Sequence, residues 1–111
     1  MRQGARAEVK IIAALAFSER SGAGMLTDLS IGSASATAKE LLGAKGDLGR
    51  AKFKLQAVGE DEFMNIEAIM RWIDPAETGG GFKHGFEFIN LSTHEKLILS
   101  AVVHQTLVDN S

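Results

Sequence analysis

Ala51-Lys52-Phe53-Lys54-Leu55-Gln56-Ala57-Val58 alternates apolar and polar residues at a period of two. A strand with one wet face has this pattern, because successive side chains leave a pleated backbone on opposite sides. Downstream, Gly59-Glu60-Asp61-Glu62 turns the chain into a second alternating run, Phe63 to Ile73. There Phe63, Asn65, Glu67, Ile69 and Arg71 alternate with Met64, Ile66, Ala68, Met70 and Trp72, and the second set is expected to face the core. Asp74-Pro75 ends that run, and Gly79-Gly80-Gly81 makes a loose hairpin connection. In the next run Phe82, His84, Phe86 and Phe88 alternate with Lys83, Gly85 and Glu87.

Upstream, Val9 to Phe17 has the β-branched and aromatic content of a strand and runs into a break at Ser21-Gly22-Ala23-Gly24, read as a turn. Met25 to Ile31 and Ser33 to Ala38 are short segments meeting at a bend around Gly32, and turn formers fill Leu42 to Asp47. At the far end Ser92-Thr93-His94-Glu95 matches the capping box, ahead of the apolar-rich Leu97 to Val108. Many short antiparallel strands and one terminal helix make a mainly β protein, a small barrel with the helix over an open end or flank.

With 111 residues the chain has room for one core, and 45 % hydrophobic residues with a single proline describe an ordinary globular domain. A formal net charge of −2 provides no global positive field for DNA, RNA or an anionic membrane. The absence of cysteine removes disulfides, thiol catalysis and cysteine zinc sites. His84, His94 and His104 stand on different elements and offer no ready-made metal face, so neither a metal nor a cofactor is expected. Val9 to Phe17 is too short to span a bilayer, and a cytoplasmic protein without membrane insertion is expected.

Two further stretches carry a resemblance. Arg2-Gln3-Gly4-Ala5-Arg6, just before the first strand, and Asp28-Leu29-Ser30-Ile31-Gly32-Ser33-Ala34, at the second-to-third strand bend, resemble the RxxxR and [D/N]xSxxG motifs of PilZ domains. The likeness continues through Ala68-Ile69-Met70-Arg71-Trp72 and His84-Gly85-Phe86-Glu87-Phe88-Ile89-Asn90-Leu91. It implies a six-stranded antiparallel β-barrel with a C-terminal α-helix, divided into an arginine loop at 1–8, a barrel at 9–91 and a helix at 92–108. It also implies a non-catalytic bacterial receptor for cyclic di-GMP. In one departure, the motif's final glycine falls on Ser33 and a glycine stands one place earlier, leaving Gly32 to absorb the bend.

The residue types suit that ligand, a dianion with two guanines. Arg2 and Arg6 can fork onto guanine N7 and O6 or onto phosphate. Asp28 can accept from guanine N1–H and N2–H, and Ser30 can hold a base edge or fix the bend. The resemblance adds Ser33, at the motif glycine's place, and Arg71 could reach the ligand from the neighbouring strand. The same residues also suit plainer roles: solvated arginines at a terminus, an Asx or Ser turn at Asp28 and Ser30, and a wet strand face at Arg71. Two functions follow as expectations: a cyclic di-GMP receptor that signals to a protein partner or linked effector domain, and a protein-interaction domain on the same barrel that no longer binds the nucleotide. In the first, Met1 to Arg6 is expected to be mobile without ligand and ordered with it.

Overall fold

The computed structural model describes residues 6–57, 59–76 and 79–109. Six strands, β1 (Ala7–Phe17), β2 (Arg20–Leu29), β3 (Ser33–Ala38), β4 (Leu48–Ala57), β5 (Glu60–Pro75) and β6 (Phe82–Phe88), precede one helix, α1 (Thr93–Asp109). All the ladders are antiparallel, and the strands close in the order β1-β2-β3-β6-β5-β4, with β4 returning to β1. The chain forms the expected six-stranded barrel with a C-terminal helix.

The period-two runs give the barrel its inside. Phe53 and Leu55 of β4, Met64, Ile66 and Met70 of β5, and Phe86 and Phe88 of β6 are all buried. Phe86 sits 5.7 Å from Phe17 and 6.0 Å from Phe88, ring centre to ring centre, and Phe88 sits 6.3 Å from Phe53, so β1, β4 and β6 share one aromatic cluster. Burying each such side chain stabilises the fold by about 1.5–3 kcal/mol. α1 lays Ile98, Leu99, Val102 and Val103 against β1 and β4. The capping box starts it: the Glu95 N–H donates to Ser92 Oγ at 3.1 Å, and the Ser92 N–H donates to Glu95 Oε1 at 2.9 Å.

Three boundaries differ from the sequence reading. Ser21-Gly22-Ala23-Gly24 is not a turn but lies inside β2, and the chain reverses at Ser18-Glu19 with Ser18 at φ 57°. Gly22 serves packing instead, since a Cβ there would stand 2.9 Å from Leu42 Cδ2. Two residues of the expected arginine loop, Ala7 and Glu8, are already strand, because Ala7 is fully buried opposite Leu29. Trp72 is not in the core. A β-bulge between Met70 and Trp72 makes Arg71 the extra residue, so Met70 pairs with Phe86 inside while Trp72 pairs with Gly85 outside.

His84 holds the β3–β4 connection. The ring is fully buried, and its Nε2 accepts the Leu42 N–H at 3.0 Å, which fixes Leu42 in the core. Nδ1 is buried without a hydrogen-bond partner among the described residues. Burial disfavours the charged ring and lowers its pKa below the ordinary 6.5, an effect partly opposed by the Ala36 backbone.

Candidate functional site

The site forms where the entry to β1 meets the β2–β3 bend. Arg6 immediately precedes β1, and the Glu8–Asp28 and Ala7–Leu29 pairs bring it alongside the end of β2. Asp28 reaches the outer face through a second bulge. Leu26 pairs with Ala36 inside the barrel and Asp28 with Ser35 outside it, leaving Thr27 as the extra residue. Simple alternation from Leu26 would have put Asp28 in the core, where an unpaired carboxylate is costly.

Asp28 is shared between two neighbours. One oxygen accepts from Arg6 Nη1, and the other accepts from the buried Ser35 hydroxyl at 2.5 Å. Arg6 Nη2 donates to Ser33 Oγ at 3.0 Å. The arginine and aspartate side chains are 49 % and 21 % exposed, so the pair is open to solvent and to a ligand.

Ser30 serves the bend. Its hydroxyl oxygen accepts the Ser33 N–H at 3.0 Å and lies 2.9 Å from Ser33 Oγ, while its own N–H donates to the Ser33 carbonyl at 2.8 Å. With only 2 % of its surface exposed, Ser30 shapes the loop from beneath. The bend uses no left-handed backbone at Gly32 or Ser33, neither of which has a positive φ. The expectation that Gly32 absorbs the reversal is corrected: the serine hydroxyls hold an ordinary backbone in place.

Arg71, the bulged residue of β5, points outward and binds Glu87 Oε1 through Nε at 2.7 Å and Nη2 at 2.5 Å. Glu87 stands directly opposite Ser33, so this ion pair borders the Arg6–Ser33 contact. The structure thus gathers Arg6, Asp28, Ser30, Ser33 and Arg71 around one edge of the barrel. Arg2 falls outside the described residues, as does the arm from Met1 to Ala5.

Ser35, Glu87 and Trp72 escaped the sequence reading as site neighbours. One register row across the outer face reads Glu8, Asp28, Ser35, Gly85, Trp72. The indole, 38 % exposed, lies flat against Gly85, where a Cβ would stand 2.0 Å from its ring. That glycine within an otherwise strand-like run was the available signal of a close approach. An open groove of about 800 Å³ leads from Asp28 past Thr27 to Lys10 and Lys83. A second, of about 680 Å³, lies between Met25, Thr37 and the Gly79–Gly80 tip and touches none of the motif residues. Charge and hydrogen-bonding capacity favour the first. No described helix is long and apolar enough to cross a membrane.

The PilZ domain family model matches residues 1–105. No curated protein sequence matches the chain. Among solved structures, the Bacillus subtilis inhibitor of motility MotI/DgrA superposes with a TM-score of 0.80 at 17 % identity; the alignment covers 96 % of this chain and 51 % of that one, so this chain spans about half its length. The PilZ domain of YcgR from Escherichia coli with c-di-GMP gives 0.75 at 16 % identity, covering 98 % and 93 %. The PilZ domain of CeSA from a cellulose-synthesizing bacterium gives 0.56 at 16 % identity, covering 96 % and 99 %. The closed barrel and the family match over nearly the whole chain lead to one assignment: the chain belongs to the PilZ domain family.

Proposed function

We propose that this barrel is a cyclic di-GMP receptor module, without catalysis of its own, that passes its ligand state to a protein partner or a linked domain. The observation that carries this reading is the meeting of Arg6, Asp28 and Ser33 from three segments on one open edge. Arg6 offers a guanidinium fork to guanine N7 and O6 or to phosphate, and Asp28 is an acceptor for guanine N1–H and N2–H. Trp72, in the register row of Asp28, presents an aromatic face on which a base can stack. Lys10 and Lys83 in the adjoining groove add positive charge for the phosphates. The solved structure of the YcgR PilZ domain, of similar fold, is one with c-di-GMP, which supports the same ligand here.

Ligand binding has to redirect Arg6, which is already engaged by Asp28 and Ser33. Because Arg6 adjoins the first residue of β1, its exchange of partners moves the N-terminal arginine segment, and that movement is the signal in this reading. Isothermal titration with cyclic di-GMP tests it: saturable heat is expected, and heat no different from dilution would sink the receptor reading. In that case the second function, a protein-interaction barrel, is favoured by Ser33, which occupies the motif glycine's place and ties up Arg6.

A further inference from the structure

We infer that Ser33 is an affinity-setting residue: its hydroxyl holds Arg6 in the ligand-free barrel and has to release it before the nucleotide can bind. The inference rests on the receptor reading above and adds to it a regulator of the same site. Its basis is a continuous run of polar contacts. Ser35 Oγ donates to Asp28, Asp28 accepts from Arg6 Nη1, Arg6 Nη2 donates to Ser33 Oγ, and Ser33 Oγ meets Ser30 Oγ at 2.9 Å.

With glycine at position 33 this run would be cut, and Arg6 would be held by Asp28 alone. Serine gives the guanidinium a second anchor, from a residue 27 positions away in sequence. A phosphate or guanine acceptor that takes Arg6 Nη2 competes with that anchor, so part of the binding free energy goes to replacing it. The displaced Ser33 hydroxyl keeps a partner in Ser30 Oγ, so it can let go without being stranded.

The effect belongs to the side chain and not to the backbone. Neither Ser33 nor Gly32 lies in the left-handed region, so alanine or glycine at position 33 fits the existing bend. Ser33 begins β3 on its outer face, where threonine is also well tolerated and restores a hydroxyl. Arg71 is engaged elsewhere, with its Nε and Nη2 turned to Glu87.

The test titrates wild type, Ser33→Ala, Ser33→Gly and Ser33→Thr with cyclic di-GMP. It also follows the Arg6 side-chain nitrogens by NMR relaxation in the ligand-free proteins. Losing one charge-assisted anchor at a half-exposed site predicts binding about three- to tenfold tighter in Ser33→Ala and Ser33→Gly. Ser33→Thr should bind like wild type, and the Arg6 guanidinium should move faster in the two variants that lack a hydroxyl. Unchanged affinity in Ser33→Ala overturns the inference, and so does weaker binding, which would make Ser33 a direct ligand contact. Absence of heat from wild type and all three variants overturns the receptor reading itself.

Discussion

Asp28 and Trp72 lie in one register row on the outside of the barrel, although each stands two residues beyond a core side chain, Leu26 and Met70. Thr27 and Arg71 make the difference. Each is an extra residue that advances its strand by half a pleat and sends the following side chain out of the barrel. The two bulges thereby put a carboxylate and an indole on the same surface, at either side of Ser35 and Gly85.

Trp72 is the chain's single tryptophan, so its emission reports on this surface alone. Adding cyclic di-GMP is expected to quench or shift the emission as a base covers the indole. Gly85→Ala, whose methyl group would occupy the ring's present position, should red-shift the emission of the free protein. Emission that is indifferent to saturating ligand would remove Trp72 from the binding surface.

Replacing Arg6 by alanine should weaken cyclic di-GMP binding by at least about tenfold, the loss of one forked contact. Its effect on folding should be small. An ion pair this exposed contributes about 0.2–1 kcal/mol, so the melting temperature should move by only a few degrees. Calorimetric titration and a thermal melt on the same sample separate the two effects.

Asp28→Ala should cost more stability than Arg6→Ala. The carboxylate is the acceptor for the buried Ser35 hydroxyl as well as for Arg6, and removing it strands a donor that has no access to water. A loss of about 1–3 kcal/mol is expected in urea unfolding. The double variant Asp28→Ala, Ser35→Ala should recover part of it, and no recovery would mean that the Ser35 contact is not the cause.

The pH dependence of stability should carry the signature of His84. Its folded-state pKa lies below 6.5, so as pH falls through 6.5 the unfolded chain takes up a proton that the folded chain refuses. Stability is then full above pH 6.5 and declines from there towards the lowered pKa of the folded state. Unfolding free energies measured from pH 7.5 to 5.5 should fall in wild type. They should flatten in His84→Gln, whose amide can still accept from the Leu42 N–H. Equal slopes would assign the decline to other groups.

Strand identity was legible wherever alternation ran unbroken, as from Ala51 to Ala57 and from Met64 to Met70, because one barrel face is dry. Helix α1 was legible from Ser92 and Glu95, which exchange the two hydrogen bonds their spacing suggests. Arg6 and Asp28 were legible only as motif members. Nothing in a period-two reading marks where an extra residue enters, so Trp72 looked like core and the outward turn of Asp28 had no explanation. Ser21 to Gly24 looked like a turn because glycine's composition signal is the same whether it serves a reversal or the close approach of Leu42. Glu87, a strand residue with an ordinary wet-face position, gave no hint that it would hold Arg71.

The return of β4 to β1 has a consequence for how this domain behaves in crowded surroundings. Closing the ring of six strands limits the unpaired amides and carbonyls to strand ends outside the ladders, such as residues 7–12 of β1 and 54–57 of β4 on either side of the seam that joins 13–17 to 49–53. Copies concentrated on one assembly, or fused in tandem, therefore offer one another only short edges on which to exchange backbone. Association between them falls mainly to side chains on the outer wall, where the six-stranded ring leaves substitution free to vary.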